Sequence, residues 1–285
     1  MSEPMTAAMM VARARNLPQI PATALKLIGL LDEPDCNNDE LAGLVQGDPA
    51  LTAKLLRACN SSALALSEPV SSVDQALLIL GYGAVANMVM SLAMSQAMRS
   101  HSGYSIPVED LWQHALTTAA AAKTMVDQGL YEEHDAAVAY TAGLLHDVGK
   151  LVMAQVLGAE VHAAIRQHRV AEGLGSVAAE REVLGTDHTE VGACLLHVWR
   201  LPEWIVEATG NHHRPVLGVV PHLSAVVHVA NRVAHLVDTP NSGDYAINET
   251  DAVALAFGLH TRRQQALLTA TAQAATQARG ILVAA

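Results

Sequence analysis

Aromatic residues, basic charge and long apolar runs are all scarce in this 285-residue chain. Phe, Trp and Tyr make up only 3% of it, although hydrophobic residues as a whole make up 51%. The core must therefore be built from Ala, Leu, Val and Met, which favours helices because strands are typically rich in aromatic and β-branched residues. No run alternates apolar and polar residues between hairpin turns, so the sequence offers no obvious source of a sheet.

The charge balance is acidic, with 17 basic and 28 acidic residues and a net charge of −11. Proteins that bind the nucleic-acid backbone usually carry a basic stripe, so this balance argues against nucleic acid as a partner. No stretch reaches the roughly 18 uninterrupted apolar residues of a membrane span, and the N-terminus has no basic segment leading into an apolar run. We therefore expect no membrane insertion and a cytoplasmic location.

Helix start signals and one linker-like segment divide the chain into two parts. Asp48-Pro49 combines an N-cap residue with Pro at the first helical position, and Ser72 with Gln75 forms a capping box. Residues 101–107 contain Gly, Ser and Pro without periodicity, which is typical of a linker. We predict an all-α fold in which an N-terminal helical bundle subdomain, residues 1–100, packs on a C-terminal helical subdomain, residues 108–285.

Histidine is unusually abundant, with 14 copies, and the pair His146-Asp147 is the centre of a candidate site. Other candidates are His114 with Asp110 one turn earlier, His188 at a helix start, and the pair His212-His213 after a loop. Imidazole and carboxylate together suit Mn, Fe, Zn or Ni, and two such ions bridged by an Asp can activate water for attack on phosphorus. On a continuous helix Lys150 lies on the same face as His146, where its ammonium can meet a phosphate oxygen.

A structural interpretation of the same residues remains open. The histidines and Asp147 also fit a buried polar cluster that fixes helix packing by hydrogen bonds. Asp110 also fits a surface acid in a first helical turn, and Lys150 a solvated cation. The other histidines that we considered show no comparable arrangement and are assigned no role: His101, His162, His168, His197, His222, His228, His235 and His260.

Around these residues the chain resembles the HDOD branch of the HD superfamily of metal-dependent phosphohydrolases. The resemblance runs from about Leu17 to Val237, and its clearest segments are Asp48-Pro49-Ala50-Leu51, Leu111-Trp112-Gln113-His114, Gly143-Leu144-Leu145-His146-Asp147-Val148-Gly149-Lys150 and Asp187-His188-Thr189-Glu190-Val191-Gly192. It implies an all-α fold and a bacterial signal-transduction setting, usually without demonstrated catalysis.

The superfamily branch that hydrolyses cyclic dinucleotides implies the roles of individual residues. By that match the metal ligands are His114, His146, Asp147, His188, His212 and His213, and Asp110 takes the place of an acidic residue one turn before the first His. The implied cofactor is one or two divalent transition-metal ions, Fe, Mn, Ni or Zn. If the site is active, Asp147 and Lys150 are the candidate catalytic residues.

Two departures from that branch affect the functional prediction. After His212-His213 it carries a Glu and a Gly-Tyr-Pro signature, whereas this chain has Arg214-Pro215-Val216. Asn231 stands at the position of the superfamily's last Asp, and as a candidate ligand it is a neutral, weaker oxygen donor. We therefore predict a regulatory, catalytically degenerate protein that acts on signalling proteins or through a small ligand. The alternative is a metal-dependent phosphohydrolase acting on a nucleotide or another phosphoester.

Overall fold

The computed structural model describes residues 5–14, 21–31, 38–99, 107–215, 217–218, 222–239, 247 and 251–284, with 96–99 described by their backbone alone. The regular structure of these residues is helical, and no strand is assigned among them, as the composition predicts.

Among the described residues, six helices precede residue 100. They are α1 (Ala7–Arg13), α2 (Ala22–Leu31), α3 (Asn38–Gln46), α4 (Pro49–Cys59), α5 (Val73–Leu80) and α6 (Tyr82–Arg99). Ten helices follow. They are α7 (Val108–Asp127), α8 (Ala136–Leu145), α9 (Val148–Val156), α10 (Ala159–Glu172), α11 (Ser176–Leu184), α12 (His188–Val198), α13 (Glu203–Asn211), α14 (Leu223–Asp238), α15 (Ala252–Ala256) and α16 (Thr261–Ala284).

The predicted start signals begin helices in the structure. The Asp48 side chain accepts a hydrogen bond from the Leu51 N–H at 3.1 Å, and Pro49 is the first residue of α4. Ser72 likewise accepts from the Gln75 N–H at 3.1 Å at the start of α5. The predicted linker lies, apart from Pro107, outside the described residues, so the subdomain boundary stays a prediction.

The N-terminal helices pack on the C-terminal ones, as predicted, and share one apolar core with them. Leu27 and Leu55 from the first part belong to the same buried cluster as Trp112, Leu145 and Leu195 from the second. The first and last helices add to the contact between the two parts. Helix α1 packs on α9 and α12, and α16 packs on α4, α6 and α7. The N-terminal part is therefore directly connected to the helices that carry the candidate site.

Two glycines allow helices to approach closely around His146 and Asp147. A Cβ atom on Gly143 would lie 2.8 Å from the Ala119 Cα, so α8 meets the Ala-rich α7 backbone to backbone. A Cβ atom on Gly149 would lie 2.0 Å from the His188 carbonyl oxygen, so α9 meets the start of α12 in the same way. No larger side chain fits at either contact without moving backbone.

The expectation of one continuous helix through the His-Asp pair is wrong. Helix α8 ends at Leu145 and α9 begins at Val148, so His146 and Asp147 form a turn between two helices. Lys150 is consequently not on a helix face shared with His146. The turn lets both side chains converge, whereas adjacent side chains on one helix diverge by about 100°.

None of the described helices combines the length and the apolar character needed to cross a bilayer.

Candidate metal centre

The residues predicted from the sequence converge from four parts of the fold. His114 projects from α7, His146 and Asp147 form the turn between α8 and α9, His188 begins α12, and His212-His213 follows α13. Their donor atoms form two groups, each with all its atoms within 4.8 Å of one another: His188, His212 and His213, called here the His188 cluster, and His114, His146 and Asp147, called the His114 cluster.

The Asp147 carboxylate, which belongs to the His114 cluster, also faces the His188 cluster. Its Oδ1 is 3.3 Å from His188 Nε2 and 3.8 Å from His212 Nε2. Its Oδ2 is 3.3 Å from His146 Nε2. Protein atoms that bind one transition-metal ion at about 2.0–2.1 Å lie roughly 3–4 Å from one another, so these separations suit ligation.

Hydrogen bonds at the opposite ring atoms fix the tautomers of two central histidines. His146 Nδ1 donates to the Gly143 carbonyl at 2.8 Å, and His212 Nδ1 donates to the Thr209 carbonyl at 2.8 Å. A carbonyl only accepts, so in each neutral ring Nε2 carries the lone pair. Burial lowers the pKa of His146 and holds that of His212 well below its ordinary value, which keeps both imidazoles neutral.

His188 is held by a buried carboxylate that the sequence did not reveal. Glu180, on α11, is 6% exposed, and its Oε2 accepts from His188 Nδ1 at 2.6 Å and from the His188 N–H at 2.9 Å. A carboxylate hydrogen-bonded to a ligating imidazole is common in metal sites, because it fixes the ring orientation and makes Nε2 a stronger metal ligand. In its neutral form His188 therefore directs its Nε2 lone pair towards Asp147.

Five buried polar atoms of the site have no hydrogen-bond partner among the described residues. They are the Nε2 atoms of His146, His188, His212 and His213, and Oδ1 of Asp147. Buried polar atoms are normally satisfied, and here lone pairs of imidazole and carboxylate face one another. A cation placed among these atoms would satisfy them together, so the donor set fits a transition-metal ion.

The His114 cluster differs because two of its three metal-ligand atoms, His114 Nε2 and Asp147 Oδ2, already take part in hydrogen bonds, while His146 Nε2 does not. His114 Nε2 lies 2.9 Å from Asn231 Oδ1, and whichever way the amide is turned this ring atom takes part in a hydrogen bond. Lys150 Nζ donates to Asp147 Oδ2 at 2.6 Å. Burial opposes ionisation of Asp147, but the Lys150 ammonium helps to hold its pKa well below the usual range.

Asp110 is the one predicted ligand that the structure leaves apart. It lies exposed in the first turn of α7 and belongs to neither cluster, a position that matches the surface-acid interpretation.

Two further residues that sequence analysis passed over contact His114. The His235 ring lies 4.3 Å from the His114 ring, and Asp238 Oδ2 lies 3.6 Å from His114 Nδ1. Both are on α14 with Asn231, at spacings of four and seven residues. That helical period was the available signal, because residues so spaced share one face.

The chain belongs to the HDOD domain family, whose sequence pattern matches residues 17–215. An HDOD domain protein of unknown function from Geobacter sulfurreducens has a similar structure, with a TM-score of 0.71, 26% identity, and coverage of 93% of this chain and 87% of that one. A protein from Marinobacter aquaeolei VT8, provisionally named a signal transduction protein, is similar with a TM-score of 0.70 and 26% identity over 93% of this chain and 60% of that one.

An uncharacterised protein from Treponema pallidum (strain Nichols) is 24% identical over 211 residues, which is 73% of this chain. The chain spans only 39% of the length of that relative.

Proposed function

We propose that this chain is a regulatory module that holds one divalent transition-metal ion in the His188 cluster and does not sustain phosphoester hydrolysis. The observation that carries the proposal is that the two clusters differ in how many of their metal-ligand atoms already take part in hydrogen bonds. His188, His212 and His213 offer Nε2 atoms without hydrogen-bond partners among the described residues, and Asp147 Oδ1 faces two of them.

The charges around the site support one ion rather than two. One dication beside the His188 cluster is balanced by Asp147 and, through His188, by Glu180. A second dication in the His114 cluster would face the Lys150 ammonium and the uncharged Asn231, and Asp238, the carboxylate near His114 Nδ1, is already paired with Arg279. Two ions would therefore repel each other with too few carboxylates to compensate.

Each residue of the proposed site has a distinct part. The three imidazoles and Asp147 Oδ1 would hold Fe, Mn, Ni or Zn, while Glu180 orients His188. A bound ion would supply a Lewis acid that attracts an anionic oxygen. Lys150 keeps Asp147 ionised, and the bond between Asn231 and His114 keeps the other cluster closed.

The packing offers a route by which the state of the site affects the rest of the chain. Helix α1 packs on α9 and on α12, which flank the site, so a shift of either helix changes the N-terminal part. The Marinobacter protein, named for signal transduction, supports this direction only by analogy.

A metal-dependent phosphohydrolase is the second candidate function. It is favoured by Lys150, whose ammonium lies beside the metal-binding carboxylate where a phosphate oxygen can bind. A two-metal mechanism uses ions about 3.5–4 Å apart. This function therefore requires the hydrogen bonds that close the His114 cluster to break, so that a second ion can bind there.

Metal analysis and a hydrolysis assay on the same preparations test the proposal. The protein is purified without a metal-affinity tag, beside Asp147→Ala, and each is assayed with bis(p-nitrophenyl) phosphate in the presence of Mn, Fe or Ni. We expect about one metal equivalent in the natural chain, its loss in the variant, and no hydrolysis above that of the variant. Hydrolysis that depends on Asp147 would replace the regulatory function by the phosphohydrolase, and a metal-free natural chain would contradict both.

A further inference from the structure

A broad groove between α10 and α11 opens beside the His188 cluster. Its volume is about 1030 Å³, and His213 forms part of its wall. Pockets that bind small molecules typically have volumes of about 300–1000 Å³, so the groove has room for a ligand of nucleotide size.

Four arginines line this groove, although the chain as a whole is acidic. They are Arg166 and Arg169 on α10, Arg181 on α11, and Arg214 next to His213. Among the described residues, none that lines the groove is an Asp or a Glu. The groove therefore concentrates basic groups in a protein of net charge −11.

The arginines differ in how far their charges are balanced. Arg181 is paired with Asp187 and, at 2.6 Å, with Glu190, which holds its side chain in place. Arg214 lies 3.9 Å from the buried Asp187 carboxylate, a longer contact. The ion pairs that the described residues form in this region do not engage Arg166 or Arg169, so these two contribute uncompensated charge.

The backbone and the rim add two complementary features. Gly175 caps α11 without a side-chain hydrogen bond, so the first N–H groups of this helix favour an anion. Val170, which is 87% exposed, lines the groove together with Leu174 and Val177 and gives it an apolar edge. The combination suits a molecule with an anionic end and an apolar or aromatic end.

We propose that this groove binds a small phosphate ester of nucleotide size, with its phosphate on the arginines and its other end against Val170. A phosphate has enough acceptor oxygens to bind several guanidinium groups at once, whereas a carboxylate has only two. Because His213 belongs to both the groove and the His188 cluster, such a ligand is placed to respond to the metal. This coupling rests on the proposed function, whereas the binding itself depends on the arginines.

Calorimetric titration of the full chain with ADP and with inorganic pyrophosphate tests the inference. The informative variant is Arg166→Gln/Arg169→Gln, because both side chains are exposed and outside the metal site. A matched control, Arg200→Gln/Arg262→Gln, removes the same charge from two exposed positions away from the groove. We expect the natural chain and the control to bind ADP, and the groove variant to bind it about tenfold more weakly or worse.

A parallel titration of Asp147→Ala separates this inference from the proposed function. Retained ADP binding in that variant supports an arginine site that exists without the metal. Binding that is lost in Asp147→Ala but unchanged in Arg166→Gln/Arg169→Gln overturns the groove and leaves the metal site as the phosphate receptor. The inference also fails if the natural chain binds neither probe, or binds single-stranded RNA in preference to ADP.

Discussion

The His188 cluster consists of three imidazoles and the His114 cluster of two imidazoles and the Asp147 carboxylate, and hydrogen bonds around them increase this chemical difference. Behind the first, Glu180 accepts from His188 Nδ1 and leaves Nε2 available. In the His114 cluster, Asn231 is hydrogen-bonded to His114 Nε2, and Lys150 donates a hydrogen bond to Asp147 Oδ2. Hydrogen bonds at neighbouring atoms therefore help to decide which lone pairs of the two clusters a cation can reach.

The largest change should come from breaking the contact that brings the clusters together. In Gly149→Ala the new Cβ would meet the His188 carbonyl oxygen at 2.0 Å, so α9 and α12 must separate. We expect a loss of about 3 kcal/mol in the free energy of unfolding, measured by urea denaturation, with loss of bound metal. Gly43→Ala in α3, where no atom lies within 4 Å of the new Cβ, should be neutral or slightly stabilising. Equal stabilities of the two variants would show that the close contact is absent.

A smaller effect is expected from weakening the support behind the His188 cluster. Glu180→Gln keeps the shape of the side chain but removes the negative charge that faces His188 Nδ1. Metal affinity, measured by competition with a chelator, should fall about tenfold or more. Glu182→Gln, on the exposed side of α11, should leave affinity unchanged. If both variants bind metal equally well, Glu180 does not tune the site.

The pH dependence of the chelator-treated protein should distinguish the buried imidazoles from ordinary ones. Burial lowers the pKa of His213 to about 3, whereas in the unfolded chain it is about 6.5. As the pH falls from 7.0 to 5.5, the unfolded state takes up a proton that the folded state does not, so stability decreases by about 1 kcal/mol from this residue.

The His213→Asn variant lacks that contribution, so its stability should fall less than that of the natural chain over the same range. Thermal unfolding followed by circular dichroism at both pH values measures the difference. An identical decrease in the two proteins would mean that His213 titrates normally when folded.

The smallest change should come from restoring an acid to the His114 cluster. Asn231→Asp replaces a neutral amide beside His114 by a carboxylate, and we expect a second, weakly held equivalent at high metal concentration. Elemental analysis before and after dialysis measures it, and adding His114→Ala should remove it. A variant that still binds only one equivalent would show that Asn231 is not what closes this cluster.

The helical class and most of the convergent residues were predictable because their signals are local. Asp48-Pro49 and Ser72 start helices where expected, and the HDOD domain matches residues 17–215 within the predicted 17–237. The break at His146-Asp147 was not predicted, since the apolar pattern continues through it. The close helix contacts on either side of it, at Gly143 and Gly149, depend on residues distant in sequence.

The residues that support the site show the same limit. Glu180 reaches His188 only because α11 turns back on α12, and no spacing of residues in the sequence predicts that contact. The period that places His235 and Asp238 on the Asn231 face of α14, by contrast, was readable from the sequence. Which cluster has free donors depends on single hydrogen bonds of 2.6–2.9 Å, and these follow from tertiary packing.

The most direct test is the metal content of three tag-free proteins purified side by side: the natural chain, His212→Ala and His114→Ala. The account predicts about one equivalent in the natural chain, none in His212→Ala, and an unchanged equivalent in His114→Ala. Two equivalents in the natural chain, or equal loss from both variants, would contradict the claim that only the His188 cluster holds the metal.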